Sequence, residues 1–162
     1  YNGHAHGVEM TRRYHSAAIV PDGTPEPVSD HDRDLYYEPT TWPGASVPHA
    51  WLGKRSPGPL VSTLDVAGKG KVRLFTGHGG EAWRQAAEHV AKKRGVDVEV
   101  TAIGPYLDYE DTYGDWYRRR GVGDDGCVLV RPDQIVGWRS SALPADPVAA
   151  LDQVTDSLLG WI

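Results

Sequence analysis

Between Lys71 and Ile103 the sequence runs through a strand pattern, a glycine-rich break, an amphipathic helix pattern and a second strand pattern, and this run restricts the possible folds more than any other segment. Lys71–Thr76 reads KVRLFT, a short extended stretch, and Gly77-His78-Gly79-Gly80 breaks it. Over Glu81–Arg94 the apolar residues Ala82, Trp83, Ala86, Ala87, Val90 and Ala91 share one face at the 3.6-residue period. Glu88 and Lys92 stand four apart as a candidate ion pair, and Gly95 is a natural stop. Val96–Ile103 then alternates Val96, Val98, Val100 and Ala102 with Asp97, Glu99 and Thr101, as a strand with one buried face does. Short connections in a strand–helix–strand unit imply a parallel pair with a right-handed crossover.

The rest of the C-terminal part extends this unit. Asp108–Arg120 predicts a short helix with Tyr113, Trp116 and Tyr117 facing inward. Arg118-Arg119-Arg120 falls at its C-terminal end, where cations suit the helix dipole. Cys127–Arg131, a turn at Pro132-Asp133 and Ile135–Trp138 predict a β-hairpin. A final helix has Asp146 as N-cap, Pro147 as first residue, and an apolar stripe of Val148, Leu151, Val154, Leu158 and Ile162. The order β-α-β, short helix, β-β, helix is that of an α/β thioredoxin-like fold: a central mixed sheet built from a βαβ unit and a C-terminal ββα unit.

Residues 1–59 have a different texture. They hold eight of the twelve prolines, so regular helix or central strand is excluded over most of the stretch. One early strand is predicted at Ser16–Val20. The remainder reads as an extended arm carrying Tyr36, Tyr37, Trp42, Trp51 and Leu52, too aromatic for a disordered linker and suited to lying on a folded surface. The expected organisation is an N-terminal arm over 1–59 and a thioredoxin-like domain over 60–162.

Composition narrows the function. A net charge of −5 with dispersed acids argues against nucleic acid as a partner. No apolar run is long enough to span a bilayer, and the start has no secretory-leader pattern. The chain opens on Tyr1 and not Met, which suggests a piece of something longer. A single cysteine, Cys127, excludes an internal disulfide and a CxxC pair, and points to the cytoplasm. A thiol redox site on this fold needs a nucleophilic cysteine where the first core strand meets its helix. That place reads Gly77-His78-Gly79-Gly80-Glu81, without sulfur, while Cys127 sits in an apolar strand as a small hydrophobe. The proline expected just before that strand is replaced by Gly126. The glycine loop lacks the Lys-Ser/Thr of a P-loop and the full dinucleotide fingerprint, so it reads as a tight turn and not a phosphate cradle. His4, His6 and His31 invite a metal reading, but nothing makes them converge, and His15, His49, His78 and His89 are scattered. Asp108, Glu110, Asp111 and Asp115 read as helix-capping and solvating acids.

Several segments together resemble one family. Gly7-Val8-Glu9-Met10 through Arg13–Gly23 resembles the segment after the substrate domain in phenol-hydroxylase-type flavoprotein monooxygenases. Tyr37–Gly44, Pro48-His49-Ala50-Trp51-Leu52, Ser62-Thr63-Leu64-Asp65, Val128–Asp133 and Trp138-Arg139 resemble that family's later motifs, in order and spacing. The 2,4-dichlorophenol 6-monooxygenase type is the nearest in flavour, and polyketide hydroxylases share the architecture. Gln134 departs from the pattern, standing where the hairpin usually carries Gly. The resemblance implies a redox-inactive structural or association domain at the C-terminus of an enzyme that hydroxylates a phenolic or other aromatic ring with FAD, NADPH and O2. The partners it implies are that enzyme's own FAD and substrate domains and another subunit. The family's flavin motifs have no counterpart here, so no residue of this chain receives a catalytic, cofactor-binding or metal role. Two rival readings are a free-standing thioredoxin- or peroxiredoxin-like protein, which requires a reactive Cys127, and a small-ligand module built on the aromatic arm, which requires a pocket with convergent polar groups.

Overall fold

Cys127-Val128-Leu129-Val130 is apolar at every position, without the alternation of a half-exposed strand, which marks a strand covered on both faces. The computed structural model, which describes residues 40–54 and 56–158, places it at the centre of the molecule. The strand expected at Ser16–Val20, the histidines His4, His6, His15 and His31, and Tyr36, Tyr37 and Ile162 lie outside the described residues.

The elements in chain order are β1 (Trp51–Gly53), β2 (Val61–Ser62), α1 (Thr63–Val66), β3 (Val72–Thr76), α2 (Ala82–Arg94), β4 (Val98–Ala102), β5 (Glu110–Asp111), α3 (Asp115–Arg119), β6 (Cys127–Val130), β7 (Val136–Ser140) and α4 (Pro147–Leu158). They form a four-stranded sheet of order β4-β3-β6-β7 and a small sheet of order β2-β1-β5. β3 and β4 are parallel, from Val72 opposite Val98 to Thr76 opposite Ala102. β6 runs antiparallel to β3 and to β7. The βαβ unit, the hairpin and the final helix therefore stand as the sequence predicts.

Alternation along β3 and β6 sends side chains to two separate cores. Val72, Leu74, Cys127 and Leu129 face α2 and α4, where Trp83, Ala86, Val90, Leu151, Val154 and Leu158 close the layer. Phe75, Val128 and Val130 face the other way, onto Val47, Ala50, Leu52 and Trp116. Trp83 joins α2 to β7 through an edge contact with Trp138 at 6.0 Å, and its indole N–H donates to the Asp125 carbonyl at 2.9 Å. Removing the Trp83 side chain from this fully buried site would cost about 3–5 kcal/mol.

The second core is closed by irregular chain. Gly44 N–H donates to the Val136 carbonyl and Val136 N–H to the Ala45 carbonyl, both at 2.8 Å, while Val47 N–H donates to the Gln134 carbonyl at 2.9 Å. Thr63 hydroxyl donates to the Pro48 carbonyl at 2.7 Å and accepts from Ala50 N–H at 3.1 Å. These bonds satisfy backbone groups that have no ladder partner, which lets Val47 and Ala50 be fully buried, while Leu52 is buried within β1, paired with Val61 and Asp111. Trp42 is half-buried, with the Arg139 guanidinium 5.5 Å from its ring centroid, and Trp51 is exposed.

The helix ends follow the sequence. Gly95 ends α2 in the left-handed region at φ 69°, its N–H bonded to the Ala91 carbonyl. Asp146 caps α4 by accepting from Ala149 N–H at 3.0 Å. The Ser62-Thr63-Leu64-Asp65 motif is a capping box: Ser62 Oγ accepts from Leu64 N–H, and Asp65 Oδ2 accepts from Ser62 N–H.

Two expectations need correction. The helix within 108–120 covers only Asp115–Arg119, and Trp116 alone of its three aromatics is buried, 5.3 Å from Phe75. Tyr113 precedes the helix and Tyr117 points about a third of a turn away from Trp116, so they are 60% and 69% exposed. The Glu88–Lys92 pair is not among the ion pairs of the described residues. The basic end of α2 turns instead to α4, with Lys93 2.8 Å and Arg94 2.6 Å from Asp152, and Arg94 2.9 Å from Asp156. No helix of the described residues is long and apolar enough to cross a membrane.

The clasp between α2 and α4 makes stability depend on pH. Arg94, and then Lys93, hold the Asp152 carboxyl well below the usual carboxylate range. A carboxyl whose folded pKa is depressed stabilises the fold above its unfolded value, near 4, and that contribution fades as pH falls through the folded value. Asp152→Asn should therefore melt at a lower temperature than wild type at pH 7, and the gap should narrow steadily below about pH 4. Thermal melts of both proteins from pH 7 to pH 2 check this; a gap of constant size would rule out the ion pairs as its source.

Candidate functional site

The parallel strands β3 and β4 end side by side, and the chain leaves them in different directions, β3 into the glycine loop and α2, β4 into the 103–109 loop. A crevice of about 340 Å³ opens there, lined by the Gly77–Glu81 loop, Arg84 and the Tyr106–Asp108 segment. The carboxyl ends of parallel strands are where open α/β sheets place ligands, so this is the candidate site.

Its glycines serve packing. A Cβ on Gly80 would overlap the Thr76 side chain, one on Gly77 would come within 3.0 Å of the Asp124 carbonyl oxygen, and Gly79 has φ 83°. Gly77 N–H donates to the Asp124 carbonyl and Gly80 N–H to the Gly77 carbonyl, so these amides are already used inside the protein. The charges do not favour an anion either. Arg84 is the cation of the crevice, and it faces two carboxylates: its Nε lies 3.4 Å from Glu81, and its Nη2 pairs with Asp108. The tight-turn reading of Gly77–Gly80 fits this geometry better than a phosphate cradle.

No sulfur lies in the loop, but the pairing places Cys127 nearer than its sequence position suggests. Cys127 stands directly opposite Thr76, the residue before the loop. Burial, and not distance, separates it from the crevice: Cys127 is fully buried among Leu74, Trp83 and Leu129, and the lost hydration pushes its thiol well above the ordinary range. Thr76 hydroxyl donates to the Gly126 carbonyl at 2.6 Å, closing the junction between β3 and β6. At Gly126 a Cβ would be forced against the Ser140 and Ser141 carbonyls, so no larger residue, proline included, fits there.

Several of the other sequence candidates make structural contacts. His49 Nδ1 is 2.6 Å from Ser62 Oγ, its ring meets Trp51 edge-on, and its carbonyl accepts from Arg119. His78 and His89 are exposed. Asp108 accepts from Ala102 N–H, Glu110 from Tyr106 N–H, and Asp111 caps α3 through Trp116 and Tyr117 N–H, while Asp115 pairs with Arg118. Among the described residues no three His, Cys, Asp or Glu side chains are grouped to hold a metal. A second hollow of about 400 Å³ lies beside β1 and is mostly apolar, lined by Leu52, Pro57, Pro59, Val61 and Tyr109, with Lys54 at its rim. It has no set of convergent polar groups of the kind a small-ligand site uses.

Two features escaped the sequence. One is the Arg84–Asp108 pair, which joins α2 to a loop 24 residues later. The other is the role of Gln134. It adopts φ 71° at the turn, the region that favours glycine, and its Nε2 donates to the Leu64 carbonyl at 2.6 Å. The missing glycine signals the turn strain, but nothing local signals the compensating bond.

Known proteins match the chain along nearly all of it. Residues 40–161 match the family described as aromatic-ring hydroxylase, C-terminal. The 2,4-dichlorophenol 6-monooxygenase of Cupriavidus pinatubonensis is 46% identical over 99% of this chain and 27% of its own length. The phenol 2-monooxygenase of a Pseudomonas species is 41% identical over 95% of this chain and 25% of its own. Among solved structures, the flavin-dependent monooxygenase PieE in complex with FAD and substrate superposes with a TM-score of 0.84 at 45% identity, covering 97% of this chain and 26% of that one. The chain thus spans about a quarter of the length of the curated relatives it matches. With both sequence and fold in agreement, the chain belongs to the C-terminal domain family of the FAD-dependent aromatic-ring hydroxylases.

Proposed function

We propose that this chain is the thioredoxin-like C-terminal domain of a cytoplasmic monooxygenase that hydroxylates a phenolic or other aromatic ring with FAD, NADPH and O2, and that its role there is structural and associative. The observation that carries the second half is the state of Cys127. A thiol–disulfide centre needs an accessible, easily ionised sulfur. Here the one cysteine is fully buried with its thiol pushed up, and the loop at the head of α2 has no sulfur. The free-standing redox reading loses its required residue on the same grounds. The strand order β4-β3-β6-β7, with one parallel and two antiparallel pairings, supports the thioredoxin-like assignment.

Within the parent enzyme, residues 1–59 would form the arm leading from the flavin and substrate domains to the domain over residues 60–162, with the end of that arm packed into the domain's second core through Val47, Ala50 and Leu52. Trp51 of the arm and Tyr113 and Tyr117 of the domain are large side chains left exposed, which suits surfaces that meet a neighbouring domain or subunit.

Three outcomes follow. The purified chain should be colourless and leave added FAD and NADPH unbound; a stoichiometric flavin absorbance would contradict the assignment. Its native Cys127 should resist thiol labelling at pH 7 and react quickly once unfolded, with no insulin reduction, and rapid labelling of the folded protein would restore the redox reading. In the intact hydroxylase, Trp51→Ala should lower the melting temperature or the assembly state while barely changing the stability of the chain alone, since Trp51 is 41% exposed in it. Trp42→Ala should weaken both, by up to about 3 kcal/mol. Flavin reduction and oxygenation rates should stay close to wild type in both variants; a stable, assembled variant with flavin reduction slowed by orders of magnitude would place this domain at the active site.

A further inference from the structure

Among the described residues, strand β4 is an edge of the four-stranded sheet, and edges present unpaired N–H and C=O groups on which another chain can pair. In a parallel pair alternate residues point their backbone groups the same way. Ile103 N–H donates to the Thr76 carbonyl, so the odd-numbered residues face β3, and Val98, Val100 and Ala102 direct theirs outward. The outward groups at the C-terminal end of β4 are taken one by one. The Val100 carbonyl accepts from Arg84 Nη1 at 3.2 Å. Ala102 N–H donates to Asp108 Oδ2 at 2.9 Å, and the Ala102 carbonyl accepts from Tyr109 N–H at 3.2 Å. The Arg84 Nη2 binds the same Asp108 oxygen. An exposed ion pair contributes little by itself, so the backbone groups it covers account for its placement better than its charge does.

We propose that the Arg84–Asp108 pair is an edge lock, which occupies the Val100 carbonyl and the Ala102 N–H at the C-terminal end of β4 and so prevents a second copy of this chain from adding its own β4 there across a two-fold axis. Arg84 is presented by α2 and Asp108 by the loop after β4, so the lock also ties the helix to the strand it follows. The two residues are not interchangeable. Only a donor at 84 can serve the Val100 carbonyl, and only an acceptor at 108 can serve Ala102 N–H.

That asymmetry supplies the test. Amide hydrogen exchange at Ala102 and sedimentation velocity over a concentration series are measured on the intact protein as wild type, Asp108→Ala, Asp108→Asn, and the reversed double variant Arg84→Asp with Asp108→Arg. Asp108→Ala should exchange Ala102 N–H about ten-fold faster and form more dimer with concentration than wild type. Asp108→Asn should match wild type, because its amide oxygen still accepts from Ala102 N–H. The reversed variant keeps opposite charges but loses both backbone bonds, and should behave like Asp108→Ala. Wild-type exchange and mass in the reversed variant would overturn the proposal in favour of a plain ion pair. So would Asp108→Ala with neither property changed. If Asp108→Ala does not fold, Arg84→Met, which leaves Asp108 in place and frees only the Val100 carbonyl, decides by its self-association against wild type.

Discussion

Burial of β3 and β6 on both faces is the constraint on which the other elements depend. A strand covered on one side can leave its other side to water, but Val72, Leu74, Phe75, Cys127, Val128, Leu129 and Val130 are all at 1% exposure or less, so each face of the sheet needs its own cover. On one side α2 and α4 supply it in the usual way, apolar stripes on helices that satisfy their own backbones. On the other, irregular chain from Thr41 to Ala50 lies against the core ahead of β1, and such chain can be buried only if its amides and carbonyls find partners. The bonds from Gly44 and Val47 to the β6–β7 hairpin, and from Thr63 to Pro48 and Ala50, are those partners. Thr41 adds a side-chain tie, its hydroxyl donating to the Arg120 carbonyl at 2.5 Å.

The same constraint decides the chemistry of the thiol. Cys127 is the first residue of β6 and stands opposite the last residue of β3, beside the loop that leads into α2. A sulfur on the loop side of that junction would meet the helix N-terminus and solvent. The pleat instead turns Cys127 toward Trp83 and Leu74, where a thiolate has neither water nor a cation to stabilise it. The glycines around it, Gly80 against Thr76 and Gly126 against the Ser140 and Ser141 carbonyls, let backbone segments approach so closely that no side chain enters between them. Close packing of the β3–α2 junction leaves the crevice with the Gly77 and Gly80 amides already engaged and with one arginine set against two carboxylates.

Local sequence carried most of the fold. The period of Trp83, Ala86, Ala87 and Val90, the Asp146-Pro147 start and the Gly95 stop are each written within a few residues of the element they define, and each stands where the sequence put it. What could not be read depends on residues far apart in the chain. Arg94 has Lys92, Lys93 and Glu88 close by in sequence, yet its partners are Asp152 and Asp156, because α4 returns across α2. Tyr113 and Tyr117 carry the same local signal as Trp116, and only the direction of a five-residue helix against Phe75 decides which of the three is buried. The candidate site divides the same way. The absence of sulfur and of phosphate-binding residues in Gly77–Glu81 is local and legible, whereas Arg84 meeting Asp108 requires the crossover to be in place.

Gln134 shows how such a long-range bond offsets a local penalty. A non-glycine residue at φ 71° is disfavoured by about 1 kcal/mol. A side-chain hydrogen bond to a buried-facing carbonyl contributes about 1 kcal/mol in return. The Gln134 amide reaches the Leu64 carbonyl, which belongs to a four-residue helix too short to satisfy its own carbonyls, and its main chain meanwhile accepts from Val47. One residue therefore holds three segments together: the hairpin turn, α1 and the buried stretch before β1. Glycine at this position would relax the turn and release α1. The departure from the family pattern is thus a local strain exchanged for a tertiary contact, and it falls on the sheet face covered by irregular chain, where such contacts replace the helix packing of the opposite face.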